Sequence, residues 1–289
     1  MITKLQEDFL RPILRRAHYG RNRSSFPFLS GDTFKAFSDI SISGSFDRFF
    51  NQFTSDQIRT KKIIFLCSDR GDALSEYLAE HEFGGFQNWK LVLHNSDEIP
   101  TPVNMERLSS NFEKIFCVNW LGSHDVATPI PIGLENFSYL RNGVPKDFSP
   151  ANKVFQERGI QLLTAFTDST NPVERRAARR SVSSLVGNLE LQSPLRPSEY
   201  RKLLRNTRFV LSPPGNGSDC HRTWEAIYSG AVPIVKREYW PFSHLELPVL
   251  VVEEWAEISN QLLSSTDCTG IDPKSLIRLF SPSRTQRGI

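Results

Sequence analysis

Short apolar runs that alternate with helical stretches are the feature that most constrains the fold of this chain. Runs of four to seven residues, rich in Ile, Val, Leu and Phe, are separated by polar turns and by segments with helical character. Such runs are typical of strands covered on both faces, as in parallel βαβ units. We therefore predict an α/β fold with mainly parallel sheets. The runs are residues 62–67, 89–94, 113–119, 160–166, 209–212, 231–235 and 248–252.

The alternation is interrupted once, which predicts two domains. Residues 128–136 and 143–150 are rich in Pro and Gly, which break regular elements. We place the boundary here, with domains at 1–150 and 151–289 and an irregular lead-in at 1–60. After the boundary the alternation restarts. Predicted helices are residues 172–185, 198–206 and 253–264.

Composition excludes several classes of protein. The chain has 289 residues and a net charge of only +3, which does not suggest a nucleic-acid binder. Its four cysteines are widely spaced without a C-x-x-C pair, so neither a zinc site nor a disulfide framework is predicted. No apolar run reaches transmembrane length. We expect a cytoplasmic protein, with peripheral membrane contact through basic clusters left open. One such cluster is Arg15, Arg16, Arg21 and Arg23.

A glycine loop follows the strand at 209–212 and is the strongest motif in the chain. The loop reads Pro-Pro-Gly-Asn-Gly, with Gly215, Asn216 and Gly217 at its tip. Glycines permit positive φ and let a ligand approach the backbone closely. A helix of about ten residues is predicted next, stopped by Gly230. The unpaired N–H groups and the partial positive charge at the N-terminus of a helix bind phosphate readily.

The predicted helix is amphipathic, and its polar side carries the candidate ligand-binding residues. At 100° per residue, Trp224 and Tyr228 share one side, while His221, Arg222 and Glu225 share the other. Arg222 adds a positive charge to the phosphate-binding helix N-terminus. Glu225, one turn deeper, is placed to accept hydrogen bonds from ribose hydroxyls. Three convergent polar side chains favour a binding site over a simple turn.

A dinucleotide-binding motif is the main alternative for this loop. The spacing Gly-x-Gly-x-x-Cys puts Cys220 where a third Gly or Ala belongs, although Glu238 lies near the position of the expected ribose acid. Pro213 and Pro214 lengthen the turn, and the motif lies late in the chain. An NAD(P)-dependent oxidoreductase therefore ranks lower.

Residues 209–235 resemble the donor-site segment of exostosin-like glycosyltransferases, especially the ribitol-xylosyltransferase-like branch. The shared pattern is a strand, a Pro-Gly-rich loop, an Arg, an acidic residue on a helix and a Gly-x-x-Pro-Val-like strand. Asn119 and the segments 131–136, 170–175 and 247–255 are similar to the same family. The resemblance extends over about residues 115–258.

The resemblance implies a GT-B-like architecture, in which two Rossmann-like domains face each other across a cleft. It also implies inverting transfer of a sugar from a nucleoside diphosphate sugar without an obligatory metal. The resemblance favours UDP-sugars and leaves GDP- and dTDP-sugars open. No Asp-x-Asp motif occurs in the chain. The diphosphate would then be stabilised electrostatically by helix N–H groups and cations. Matched to this pattern, Glu225 binds ribose and Arg222 the diphosphate. His221, the glycine loop and Arg175 or Arg176 complete the predicted donor site.

Inverting transfer needs a general base for the acceptor hydroxyl. It is expected on a loop after a strand of the first half, where Asp69 and Asp97 are our leading candidates. His94, Asp72, His124, Asp125 and Glu135 also fit that location.

The predicted function is therefore a metal-independent glycosyltransferase of surface polysaccharide synthesis. Its expected partners are a nucleotide sugar and a saccharide or polyol-phosphate acceptor, without nucleic acid and without a cofactor. The alternatives are an NAD(P)-dependent oxidoreductase and a non-catalytic module that binds nucleotide sugars.

Overall fold

Two parallel sheets organise the chain, which confirms the predicted α/β class. The computed structural model describes residues 24–53, 57, 60, 62–81, 86–139, 142–148, 154–193, 195–267 and 272–282. The basic cluster Arg15–Arg23 lies outside these ranges. Within them, no helix is long and apolar enough to cross a membrane.

The first sheet has five parallel strands in the order in which they occur along the chain. Their alternate side chains are buried on opposite faces. Ile64 and Leu66 pack in one apolar cluster, whereas Phe65 between them packs in another. Both faces are thus covered, as parallel sheets require. The strands are β1 (Ile40–Ser41), β2 (Ile63–Cys67), β3 (Lys90–His94), β4 (Lys114–Val118) and β5 (Thr128–Ile130).

Side-chain hydroxyls cap the N-termini of two helices in the first half. The Ser30 hydroxyl accepts a hydrogen bond from the Thr33 N–H, and Thr101 serves Asn104 in the same way. Each hydroxyl satisfies a backbone donor that the first helical turn leaves unpaired. The helices are α1 (Gly31–Ala36), α2 (Phe46–Phe50), α3 (Gly71–Glu80) and α4 (Pro102–Asn111).

The second sheet also has five parallel strands, in the order β10-β9-β8-β6-β7. Its order reverses between β6 and β8, which are neighbours although the chain visits β7 between them. Such reversals leave a crevice beyond the carboxyl ends of the strands, where α/β proteins bind ligands. The strands are β6 (Ile160–Thr164), β7 (Asn188–Glu190), β8 (Thr207–Leu211), β9 (Val232–Lys236) and β10 (Leu250–Val252).

Five helices are described after β6. In α5, Pro172 stands in the first turn, where its missing N–H costs little. After α7 ends, the chain changes direction at Gly230, whose φ is +75°. The helices are α5 (Pro172–Val182), α6 (Pro197–Arg205), α7 (His221–Tyr228), α8 (Asn260–Ser265) and α9 (Pro273–Phe280).

An apolar cluster is shared by the two halves, and α7 lies within it. Trp224 is fully buried, with ring centroids of Trp240, Phe242 and Phe280 about 6 Å away. Tyr228 packs edge-on against Phe28 of the first half at 4.7 Å. Its hydroxyl also accepts the Leu29 N–H at 2.9 Å. Side chains of α7 therefore help to join the two sheets.

The structure differs from the sequence predictions in several places, and β7, α4 and α9 are further elements that were not predicted. The lead-in contains α1, β1 and α2, because its aromatic residues are buried against the first sheet. Residues 128–130, predicted as bridge, form the edge strand β5, where a proline is tolerated. The helix predicted at 253–264 is interrupted: a 3₁₀ turn at Trp255–Glu257 precedes α8.

Trp224→Ala should lower the free energy of unfolding by about 3–5 kcal/mol, because it empties the centre of the shared cluster. It also removes an indole N–H that donates to the buried Asp219 carboxylate. Urea unfolding followed by circular dichroism measures the loss. Val173→Ala on α5, where the residue is 77% exposed, should change stability by less than about 0.5 kcal/mol. Equal effects of the two variants would contradict this placement of α7.

Candidate functional site

A cavity of about 510 Å³ opens at the carboxyl ends of the second sheet. Its walls come from the loops that follow β6, β7 and β8, at the point where the strand order reverses. Asp97, Ile132 and Asn142 of the first half complete it. Most of the predicted donor-site residues line this cavity: Gly215, Asn216, Gly217, His221, Arg222, Glu225 and Arg175.

The two loop glycines are required by close packing. A Cβ on Gly215 would lie 2.8 Å from the Arg175 guanidinium, and one on Gly217 would lie 2.4 Å from the Asn119 amide. Neither glycine has a positive φ, so the conformational freedom considered from the sequence is not used here. The loop is narrow because side chains from α5 and from the first half press against it.

Two arginines form the cationic part of the cavity. Arg175 is buried and donates to the carbonyls of Pro214 at 2.9 Å and Thr167 at 2.6 Å. Arg222 donates to the Pro213 carbonyl at 3.4 Å. Among the described residues, neither guanidinium forms an ion pair with a carboxylate. Burial and the neighbouring Arg222 lower the pKa of Arg175 from its ordinary value. The uncompensated charge is suited to an anion.

Phe166 supports both guanidiniums. Its ring centroid lies 5.8 Å from the Arg175 guanidinium carbon and 5.0 Å from that of Arg222. A third arginine, Arg179, lies 4.9 Å from the same ring but is paired with Glu190 and Asp168. Aromatic contact holds the planar groups without neutralising them. The charge of Arg175 and Arg222 therefore remains available to a ligand.

Glu225 is a buried carboxylate in the same cavity. It is 8% exposed, and no described residue donates a hydrogen bond to its side chain. Burial raises the pKa of Glu225 to about 7, while the charges of Arg222 and Arg201 lower it. Because α7 rises about 1.5 Å per residue, Glu225 lies one turn beyond Arg222 on the same side of the helix. An acceptor thus stands next to the anion-binding arginines.

Tyr200 of α6 was not identified from the sequence. It lines the cavity, and its hydroxyl is buried without a hydrogen-bond partner among the residues that the structure describes. Burial, followed by the charge of Glu225, raises the pKa of Tyr200. The hydroxyl therefore keeps its proton. No local motif marks this tyrosine, because only the packing of α6 beside α7 brings it to the cavity.

His221 begins α7 and connects the cavity to the first half. Its Nδ1 lies 2.7 Å from the Gly133 carbonyl. A carbonyl only accepts, so Nδ1 carries the proton and Nε2 keeps a lone pair. Burial lowers the pKa of His221, against the Gly133 carbonyl and the charges of Glu135 and Asp97, which raise it. The neutral imidazole leaves Nε2 free to accept a hydrogen bond.

Asp219 is a structural residue between the halves. Its carboxylate accepts the N–H groups of Ile132 at 2.9 Å and Cys220 at 2.8 Å, and the Trp224 indole N–H at 2.8 Å. Its own N–H donates to the Asn119 side chain at 3.0 Å. Burial raises the pKa of Asp219 to about 6, although all three donors lower it. Its carboxylate positions the start of α7.

The remaining candidates lie in different places. Asp97 is exposed and lines the cavity, whereas Asp69 is exposed in the turn after β2 and is not among the lining residues. Arg176 points outward, with a side chain 63% exposed and 3.7 Å from Asp168. Asp72 accepts the Thr101 N–H at 2.8 Å, at the start of α4.

His94 is fully enclosed and is held by the backbone. Its Nε2 lies 3.1 Å from the Pro131 carbonyl, and its Nδ1 lies 2.7 Å from the Asn95 N–H. Burial lowers the pKa of His94 to about 4, so the ring is neutral near pH 7. Both nitrogens are occupied, which leaves no lone pair for a substrate.

No known protein family matches this chain, and no curated protein is similar enough to count as a relative. In the part of the chain that the structure describes, no three His, Cys, Asp or Glu side chains are grouped to hold a metal ion. The chemistry of the site therefore has to be argued from its own residues.

Glu225→Gln should stabilise the protein at high pH. The folded carboxyl keeps its proton up to about pH 7, while the unfolded one loses it near its ordinary pKa of 4.5. Wild-type stability is therefore lost as the pH rises from about 4.5 to 7, because the fold must then hold an unpaired buried charge. The variant cannot ionise, so it should be more stable by on the order of 2 kcal/mol above pH 7.

Urea unfolding between pH 4.5 and 8.5 measures this difference, which should shrink towards the acid end. Glu76→Gln on the exposed side of α3 is the matched control and should follow the wild-type profile. A difference between Glu225→Gln and wild type that does not vary with pH would contradict the prediction.

Proposed function

We propose that this protein is an inverting glycosyltransferase that uses a nucleoside diphosphate sugar, with UDP-sugars as the leading donor class. Under this proposal the two halves form a GT-B-like enzyme, with the donor held by residues 151–289 and the acceptor approaching from residues 1–150. The reaction would serve surface polysaccharide synthesis in the cytoplasm, with a saccharide or polyol-phosphate acceptor. It would require no metal.

One observation carries the proposal: the cavity combines two unpaired guanidiniums with a buried, unpaired carboxylate one helical turn away. Arg175 and Arg222 match the charge of a diphosphate. The N–H groups of His221 and Arg222, the first two of α7, have no acceptor in a preceding turn, so they add donors for phosphate oxygens. Once ionised, Glu225 repels phosphate and accepts hydrogen bonds, which ribose hydroxyls supply. The resemblance of residues 209–235 to a donor-site segment agrees with this division of roles.

The proposed chemistry is a single displacement at the anomeric carbon. The acceptor oxygen forms a bond to that carbon while the bond from the carbon to the diphosphate oxygen breaks. The bonding pair leaves with the diphosphate, whose growing charge Arg175, Arg222 and the start of α7 stabilise. The acceptor proton passes to the Asp97 carboxylate, which lines the cavity from the first half. His221 Nε2 accepts a hydrogen bond from a hydroxyl of the transferred sugar.

Arg222→Met should weaken UDP binding about 10- to 100-fold, because one charge-assisted contact to phosphate is lost. Isothermal titration calorimetry with UDP and NADPH measures this. Arg180→Met, an exposed position on α5, is the matched control and should bind as wild type does. Tight binding of NADPH, with none of UDP, would favour the oxidoreductase alternative and contradict the proposal.

Asp97→Asn should reduce kcat about 10²- to 10⁴-fold and leave the donor KM little changed, because the amide cannot take the acceptor proton. Transfer from a UDP-sugar to a saccharide acceptor gives both constants. Glu98→Gln removes a neighbouring exposed carboxylate and should keep wild-type activity. If His221→Asn abolishes turnover while Asp97→Asn does not, Asp97 is not the base. If the donor binds and wild type transfers no sugar, the protein is a non-catalytic module.

A further inference from the structure

Tyr200 carries an unused hydrogen-bond donor and lines the same cavity as Glu225 and Arg222. Its hydroxyl is buried, and no described residue forms a hydrogen bond with it. Nearly all buried polar groups in folded proteins are paired, so an orphan on a residue that lines a cavity indicates a partner that arrives with a ligand.

The neighbours of this hydroxyl define what it can bind. Glu225 and Arg222 are the two charged groups that act on it. The phenol remains protonated and offers one donor, whereas Glu225 only accepts once it is ionised, above about pH 7. A donor beside an acceptor complements a hydroxyl group, which both donates and accepts. A phosphate oxygen would satisfy Tyr200 but would face the Glu225 charge.

The distance along α7 indicates which hydroxyl of a ligand would meet Tyr200 and Glu225. Arg222 and Glu225 are three residues apart, about 4.5 Å of helix rise. In a nucleoside diphosphate, the group at that distance from the phosphates is the ribose ring, and the nucleobase lies beyond it. The pair formed by Tyr200 and Glu225 thus falls at the level of the ribose diol.

Building on the proposed function, we propose that Tyr200 is a specificity residue whose hydroxyl donates to the ribose 2′-oxygen. The donor class is then sugars carried on ribonucleoside diphosphates, such as UDP or GDP. Sugars carried on thymidine diphosphate, which lacks the 2′-hydroxyl, are discriminated against. With a deoxyribose bound, the Tyr200 hydroxyl would stay buried without a partner, and Glu225 would lose one of its donors.

Calorimetry with matched ribo- and deoxyribonucleotides tests the proposal. UDP and 2′-deoxy-UDP are titrated into wild-type protein and Tyr200→Phe, with the GDP, ADP and CDP pairs in parallel. Wild type should prefer the ribonucleotide about tenfold, the worth of one hydrogen bond. Tyr200→Phe should lose about tenfold for the ribonucleotide and little for its deoxy analogue, so the preference disappears. Tyr139→Phe, 66% exposed on the first half, should keep the wild-type preference.

The outcomes separate this inference from the function on which it rests. If Tyr200→Phe retains the ribose preference, or weakens the binding of both nucleotides of a pair equally, the 2′-hydroxyl assignment is overturned. The proposal of donor binding then still stands. The absence of a ribose preference in wild type also overturns it. If wild type binds no nucleoside diphosphate, the proposed function fails as well. Thermal unfolding guards against a folding artefact: Tyr200→Phe removes only an unpaired hydroxyl and should melt no lower than wild type.

Discussion

The buried carboxylate of Asp219 is the interaction on which the candidate site depends. It accepts hydrogen bonds from the Ile132 N–H of the first half, from the Cys220 N–H just before α7 and from the indole N–H of Trp224 in the core. A buried charge is costly unless several donors surround it, so these contacts are made together or not at all. Because they fix where α7 begins, they also fix where His221, Arg222 and Glu225 stand.

The first half supports this arrangement from the opposite side. Asn119, in the left-handed region with φ of +59°, accepts the Asp219 N–H, and the Gly133 carbonyl holds the His221 ring. Gly133 also has a positive φ, and a Cβ there would lie 2.1 Å from the Leu29 carbonyl oxygen. The tight segments of one half therefore orient the ligand-binding side chains of the other. The proposed donor site is accordingly coupled to the contact between the two halves.

The cavity is built at some expense to stability. Among the described residues, Arg175 and Arg222 have no carboxylate partner beside Phe166, no group donates to the buried Glu225 carboxylate, and the Tyr200 hydroxyl is unpaired. Glu225 and Tyr200 depart from the rule that buried polar groups are satisfied within the fold. Such departures cluster where a ligand completes the hydrogen bonds. A diphosphate with its ribose would supply both the missing anion and the missing donors.

The sequence by itself determined the central strands of both sheets and the polar side of α7 in the candidate site. Local periodicity is strong in β2, β3, β4, β6 and β8, and the two sides of α7 follow from the helical repeat, so these could be predicted. Asp97 and Asp69 could not be separated, because both follow strands of the same sheet and only packing brings one to the cavity. Tyr200 has no local signal at all. Which residues meet across the cavity was decided by the tertiary structure alone, because strand order and the docking of the halves depend on contacts between residues distant in the chain.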